Sequence, residues 1–274
     1  MTPPSRQLPI LAVDSAGAHP KSDSLAVEEP LEIRVGFGPA NDRARKAVSV
    51  TMRTPGHDAE LAVGFLFSEG ILTDAGDVLD VVEAAGGNAV RVDLRPGVEV
   101  DLARLERHFY TTSSCGICGK TSLDAVETAC EPVGGHFRVP ASVIHALPGR
   151  LRESQPTFDL TGGLHAAAIF DASGNLLAVR EDVGRHNAVD KLIGWAARAG
   201  HLPLRDRILF VSGRAGFELI QKAAVAGVPV FAAVGAPTSL AVELAQRVGL
   251  TLAGFVRDGR FNVYAGRERI EAVL

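Results

Sequence analysis

Three cysteines occur in 274 residues, and two of them stand close together in Thr111-Thr-Ser-Ser-Cys115-Gly-Ile-Cys118-Gly-Lys120. A C-x2-C pair can bind a metal, exchange disulfides or carry a reactive sulfur, and its setting decides among these. Residues 121–129 read as a helix opening with the capping pattern Thr121-Ser-Leu-Asp124, so both thiols precede a helix N-terminus. The positive end of that helix and the adjacent Lys120 favour thiolate, which is the nucleophilic form. Gly116 and Gly119 permit unusual backbone angles and let the loop move. The expectation is sulfur chemistry by Cys115 and Cys118 on a mobile loop, residues 111–120. Two other readings use the same residues. A structural zinc site could recruit Cys130 and His136, although Cys130 falls at the end of the expected helix, where it packs as a small apolar residue. A thioredoxin-like exchanger would carry the motif straight after a strand, whereas this one follows a helix and a polar linker. No permanently bound metal is expected.

A second set of candidates is Glu181-Asp-Val-Gly-Arg-His-Asn187, Ser212-Gly213-Arg214, Gly235-Ala236-Pro237-Thr238-Ser239 and Phe255-Val256-Arg257-Asp258-Gly259-Arg260. Each follows an apolar run that reads as a strand, and open α/β sheets bind ligands beyond the carboxyl ends of their strands. Two of the segments lead directly into helices, whose first amides suit phosphate, and Arg185, Arg214, Arg257 and Arg260 can add bidentate contacts. A nucleotide or another phosphorylated cofactor is the expected guest. Taken singly, each arginine reads equally as a solvated surface residue, Glu218 with Lys222 as an ordinary i,i+4 pair, and His165 and His186 as packing histidines.

These residues need a scaffold. Residues 208–211, 230–234 and 250–256 are continuous apolar strands, separated by helices at 217–226 and 239–248, as in a sheet covered on both faces. A strand at 261–264 ends this block, and a hairpin of 165–170 with 176–180, then a helix at 184–199, precedes it. Nearer the start, residues 31–37 and 47–53 alternate apolar with polar around a long connection at 38–46. Thr54 is expected to cap a helix with Pro55 at its first position, an apolar stripe of Leu61, Phe65 and Leu66, and a stop at Gly70. A second hairpin pairs 78–83 with 89–94, and a short helix covers 102–109. The fold class is therefore α/β, with a larger domain at 121–274 and a smaller α+β domain at 28–110. Residues 1–27 lack an apolar period and are expected to form a disordered tail.

With 46% hydrophobic residues the chain can bury a full core without staples. An odd cysteine count suits a reducing compartment. The apolar stretch at residues 8–13 ends at Asp14, too early for a signal peptide, and no run approaches the roughly 18 residues of a membrane span. A net charge of −4 gives no general attraction to nucleic acid. A cytoplasmic protein without membrane or nucleic-acid partners is expected.

The motifs Met52-Arg-Thr-Pro-Gly-His57, Leu61-Ala-Val-Gly-Phe-Leu-Phe-Ser-Glu-Gly70, Ser113-Ser-Cys-Gly-Ile-Cys-Gly-Lys120, Thr161-Gly-Gly-Leu-His165, Asp182-Val-Gly-Arg-His-Asn-Ala-Val-Asp-Lys191, Ser212-Gly-Arg214 and Ala236-Pro-Thr-Ser-Leu-Ala241 occur in that order. Together they resemble the formate dehydrogenase accessory sulfurtransferases, the FdhD family, from about residue 28 to the C-terminus. The resemblance implies a cytoplasmic homodimer whose larger domain is a cytidine-deaminase-like α/β/α unit. It implies further that sulfur arrives from a cysteine desulfurase as a persulfide on Cys115. The sulfur then passes to the bis(molybdopterin guanine dinucleotide) form of the molybdenum cofactor for formate dehydrogenase. The guanine dinucleotide site is implied at Phe255 to Arg260, whereas helix proximity by itself favours Cys118 over Cys115. A zinc-deaminase reading fits poorly. Ser114 replaces the proline of P-C-x-x-C, and after His57 the glutamate falls one position late for H-x-E. A cofactor chaperone whose cysteines only gate the ligand is the remaining alternative.

Overall fold

The structure is a computed structural model that describes residues 2–101, 132–257 and 259–271. Cys115, Cys118, Cys130, Asp258, the loop at 111–120 and the helices expected at 102–109 and 121–129 lie outside the described residues.

The N-terminal segment expected to be a disordered tail is instead ordered. β1 (Ser5–Asp14) and β2 (Gly17–Ala26) pair as an antiparallel hairpin in continuous register. Leu8, Ile10 and Ala12 alternate with exposed neighbours, and Asp14 Oδ1 accepts from the Ala16 amide at 2.7 Å to set the turn. The backbone ladder and packing against α3, described below, order a segment with little apolar surface of its own.

Next come β3 (Glu29–Phe37), β4 (Ala44–Arg53), α1 (Asp58–Ser68), β5 (Val78–Glu83) and β6 (Ala89–Leu94). The four strands lie in the order β4-β3-β6-β5, with β3 and β6 parallel. Leu31, Ile33, Val35, Val90 and Val92 turn to one face of this sheet, which α1 covers with Leu61, Ala62 and Leu66. The expected second hairpin is present with the expected bounds. The expected start of α1 is not. His57, at φ 59°, precedes the first turn. Thr54 instead ties the two units together: its hydroxyl accepts from Val183 N at 3.1 Å, and its amide donates to Asp182 at 3.2 Å. Gly70, at φ 68°, ends the helix as expected.

After residue 132 the order is β7 (Val139–Pro140), α2 (Ala141–Arg152), α3 (Pro156–Thr161), β8 (His165–Phe170), β9 (Leu176–Asp182), α4 (Arg185–Arg198), β10 (Ile208–Val211), α5 (Phe217–Val225), β11 (Val230–Ala233), α6 (Ser239–Arg247), β12 (Thr251–Arg257), β13 (Arg260–Ala265) and β14 (Ile270–Glu271). Six of these strands make one sheet in the order β13-β12-β11-β10-β8-β9, parallel across β10, β11 and β12. Alternation sorts the core. Leu209, Val211, Phe231 and Leu252 face α4, α5 and α6, while Ile208, Phe210, Val230 and Ala253 face α2. The sequence reading did not assign α2, because Pro148 and Gly149 mask its stripe of Ile144, Leu147 and Leu151. The result is a mixed α/β protein in which α1 of the small sheet packs directly on α4 of the large one. No helix among the described residues is long and apolar enough to cross a membrane.

Candidate functional site

Strand direction puts the expected loops on one edge. β9, β10, β11 and β12 all finish there, and antiparallel β8 begins there with His165 opposite Asp182. Backbone bonds stitch the loops together: Ser212 N to Ala166 O at 2.9 Å, Gly235 N to Gly213 O at 2.9 Å, Ala215 N to Ala236 O and Thr238 N to Ala215 O at 3.1 Å, and Phe255 N to Gly235 O at 3.1 Å. The approach is close. A Cβ on Gly235 would lie 2.8 Å from Gly213 O and 3.0 Å from Arg214 Cα, so that position admits no side chain. Pro237 forms a bridge with Ala215, and Ser239 starts α6 exposed to solvent.

Two hydroxyls expected to meet a ligand are already engaged. Ser212 Oγ accepts from Ala166 N at 2.9 Å, and Thr238 Oγ1 caps α6 by accepting from Ala241 N at 3.3 Å. The guanidiniums differ. Arg185, Arg214, Arg257 and Arg260 have no hydrogen bond or ion pair among the described residues, whereas Arg43, Arg53, Arg91 and Arg180 all do. Arg257 and Arg260 sit directly opposite each other across β12 and β13, an arrangement that repels until an anion joins it. Gly259, at φ 78°, closes this turn, and Val256 is buried between exposed neighbours. Phe255 adopts φ 52° at a bulge and is 38% exposed, an uncommon backbone state for an aromatic residue, held open to solvent at the same edge.

Beneath the edge lie ion pairs that the sequence did not reveal. Lys191 Nζ reaches Asp182 at 2.7 Å and Thr54 O at 2.9 Å, all buried. Arg53, 1% exposed, binds Asp58 through two nitrogens at 2.8 and 2.9 Å. Glu218 and Lys222, read from the sequence as an ordinary i,i+4 pair, each reach a residue of another helix. Glu218 meets His186 Nε2 at 3.0 Å, while Lys222 meets Asp190 at 2.9 Å and Glu69 at 3.1 Å. Burial pushes His186 down to about 3, with the Lys222 and Arg185 charges adding to it, so this ring is neutral at neutral pH. His165 is also lowered, by burial first and by Arg185 second.

At the seam of the two units, Glu60 binds Arg180 at 2.5 and 2.7 Å and His57 at 3.3 Å. Burial opposes its charge, but these partners outweigh burial and hold the carboxyl at about 2, below the ordinary 4.5. A depressed carboxyl stabilises the fold above the unfolded value and loses that contribution as pH falls towards the folded one. Wild type should therefore be more stable than Glu60→Gln above pH 4.5, with the gap closing as pH approaches about 2. Denaturant titrations at stepped pH measure it, and a gap that persists at the acid end contradicts the assignment.

The pattern that defines the FdhD/NarQ family matches residues 26–271. The Sulfur carrier protein FdhD of Streptomyces coelicolor is 50% identical over 272 residues, covering 95% of this chain and 94% of that one. The Sulfur carrier protein FdhD of Mycobacterium tuberculosis is 50% identical over 278 residues, covering 97% of each. A crystal structure from Desulfotalea psychrophila, solved as a candidate formate dehydrogenase accessory protein, superimposes with a TM-score of 0.77 at 24% identity. It covers 98% of this chain and 100% of that one, and it shows the shared fold. A match from residue 26 to residue 271, with relatives half identical along nearly their whole length, means that the chain belongs to the FdhD/NarQ family.

Proposed function

We propose that this chain is a sulfur carrier for formate dehydrogenase. It takes sulfane sulfur from a cysteine desulfurase onto Cys115 and passes it to the bis(molybdopterin guanine dinucleotide) molybdenum cofactor, its substrate. The observation that carries the reading is 50% identity to proteins named sulfur carriers over nearly whole chains. In the loading step the Cys115 thiolate attacks the outer sulfur of the desulfurase persulfide. One S–S bond forms as another breaks, and the desulfurase cysteine leaves as thiolate, so no oxidant is consumed. Cys118 is the neighbouring thiol of the same pair.

The edge of the large sheet supports the second half of the reading. Guanidiniums without partners among the described residues at Arg214, Arg257 and Arg260 suit the phosphates of a guanine nucleotide, and exposed Phe255 offers an apolar face to a base. The reading extends to a homodimer in the cytoplasm. It also extends to a cytidine-deaminase-like larger unit, which a mixed sheet with helices on both faces supports.

Incubation with desulfurase and cysteine should add one sulfur mass to the peptide holding Cys115, and Cys115→Ala should abolish the gain. If Cys115→Ala acquires the same mass and fully activates formate dehydrogenase, the assignment to this cysteine fails.

A further inference from the structure

What apolar surface the β1–β2 hairpin has points outward. Its register is continuous from Ser5 opposite Ala26 to Asp14 opposite Gly17, so alternation sorts every side chain to one of two faces. One face carries Arg6, Asp14, His19, Lys21 and Asp23, which are all the ionisable side chains of the two strands, together with Leu8 and Ile10. The other face carries none: Pro9, Leu11 and Val13 on β1 stand opposite Ser22, Pro20 and Ala18 on β2. Leu8 and Ile10 on the charged face are half-buried, whereas these six are exposed, Leu11 at 64% and Val13 at 74%. A ribbon meant for water shows the opposite pattern. Contiguous apolar surface left exposed marks a contact with another molecule, and a two-stranded ribbon without a cover is only marginally stable in water.

The contact is made by the face and not by the strand edges. Pro9 and Pro20 leave each strand one amide donor short, so neither edge offers a full ladder to an incoming strand. Ten residues per strand at about 3.4 Å each, on two strands about 4.8 Å apart, make a face of about 340 Å². Laid on an unrelated protein it buries about 700 Å² in all, the size of a non-specific contact. Exchanged across a two-fold axis the same contact is made twice, and about 1,400 Å² falls within the range of specific, stable interfaces.

We propose that the uncharged face of β1–β2 lies on a second copy of this chain, each protomer's hairpin covering its partner. This gives the proposed homodimer its contact surface and rests on that part of the proposed function. Because the face holds no charge, covering it desolvates no ion.

The test is sedimentation equilibrium of the full chain, with hydrogen exchange of the hairpin amides followed at low and high protein concentration. Wild type should be a dimer whose hairpin amides exchange more slowly at the higher concentration. Leu11→Glu/Val13→Glu should raise the dimer Kd at least a hundredfold, as the loss of two buried apolar side chains requires, and its hairpin exchange should no longer depend on concentration. Both side chains are exposed within one chain, so the double variant should melt with wild type diluted to monomer, which separates lost association from lost folding. Leu79→Glu, which charges an apolar residue of similar exposure on β5, should dimerise as wild type does. A double variant that dimerises with wild-type affinity overturns the hairpin interface and leaves the homodimer standing. A wild type that is monomeric at every concentration overturns both, and leaves sulfur loading at Cys115 untouched. Monomeric wild type whose hairpin is protected only when purified cysteine desulfurase is added makes the sulfur donor the occupant and likewise overturns the second copy.

Discussion

Gly64→Val or Gly194→Val should leave the chain without a soluble folded form, and Gly64→Ala should cost several kcal/mol despite the better helix former. α1 and α4 cross at these two glycines. A Cβ on Gly64 would overlap the carbonyl oxygen of Asp190 and lie 2.6 Å from Gly194 N. A Cβ on Gly194 would overlap the carbonyl oxygen of Glu60 and lie 2.9 Å from its Cα. Those obstacles are backbone atoms inside helices, so no side chain can rotate away. Alanine gains about 1 kcal/mol of helix propensity over glycine, whereas overpacking a well-filled interior costs typically 1–3 kcal/mol or more. The crossing also joins the two units, so the helices cannot separate locally without exposing both cores. Gly149 in α2 is the control, with nothing within 4 Å of where its Cβ would lie. Gly149→Ala should be neutral or stabilising by up to about 1 kcal/mol. Chemical denaturation of the two alanine variants decides the matter, and equal stability for Gly64→Ala and wild type would refute the crossing.

Lys222→Met should destabilise the protein by about 3–5 kcal/mol, the usual cost of leaving a buried charge without its counter-ion. Lys222 is 5% exposed, and its ammonium binds Asp190, Glu69 and the Ser68 hydroxyl, the last at 2.7 Å. Three elements meet at this one cation: the end of α1, the middle of α4 and α5. Burial opposes its charge, but Asp190 and Glu69 outweigh that penalty and raise its affinity for the proton. Removing it strands the Asp190 carboxylate, 2% exposed, with only the Ser68 hydroxyl to help among the described residues. Adding Asp190→Asn should therefore recover part of the loss, and the coupling energy from the double-mutant cycle should be 0.5–3 kcal/mol. A double variant no more stable than Lys222→Met would mean that the damage is lost packing against Phe65, not a stranded charge.

The large sheet was legible because its strands are short apolar runs that end in glycine or polar residues, and direction alone then put their ends on one edge. Ile208–Val211 needed no adjustment. Contacts between residues far apart in sequence were not legible. Thr54 looks like a helix cap until Asp182 and Val183 are beside it, 128 and 129 positions away. Glu218 and Lys222 look like neighbours on one helix face until His186 and Asp190 take them separately. The hairpin at Ser5–Ala26 was missed because most of its residues are exposed, leaving only a weak period in β1. In the candidate site the arginines were visible as residue types, but their lack of partners among the described residues is a property of the folded edge. The cysteine pair was visible by spacing alone.

The central claim is that sulfur moves through this protein onto the cofactor, and single-turnover transfer tests it most directly. The protein is charged with radiolabelled sulfur from cysteine and the desulfurase, freed of both, and mixed with the bis(molybdopterin guanine dinucleotide) molybdenum cofactor. The cofactor is supplied in its reduced form, whose metal gives the two electrons that cleave the persulfide S–S bond; the label should then leave Cys115 and elute with the cofactor, restoring the thiol, and Cys115→Ala should deliver none. Label that stays on the protein while the treated cofactor activates formate dehydrogenase would contradict the account and make the chain a cofactor chaperone.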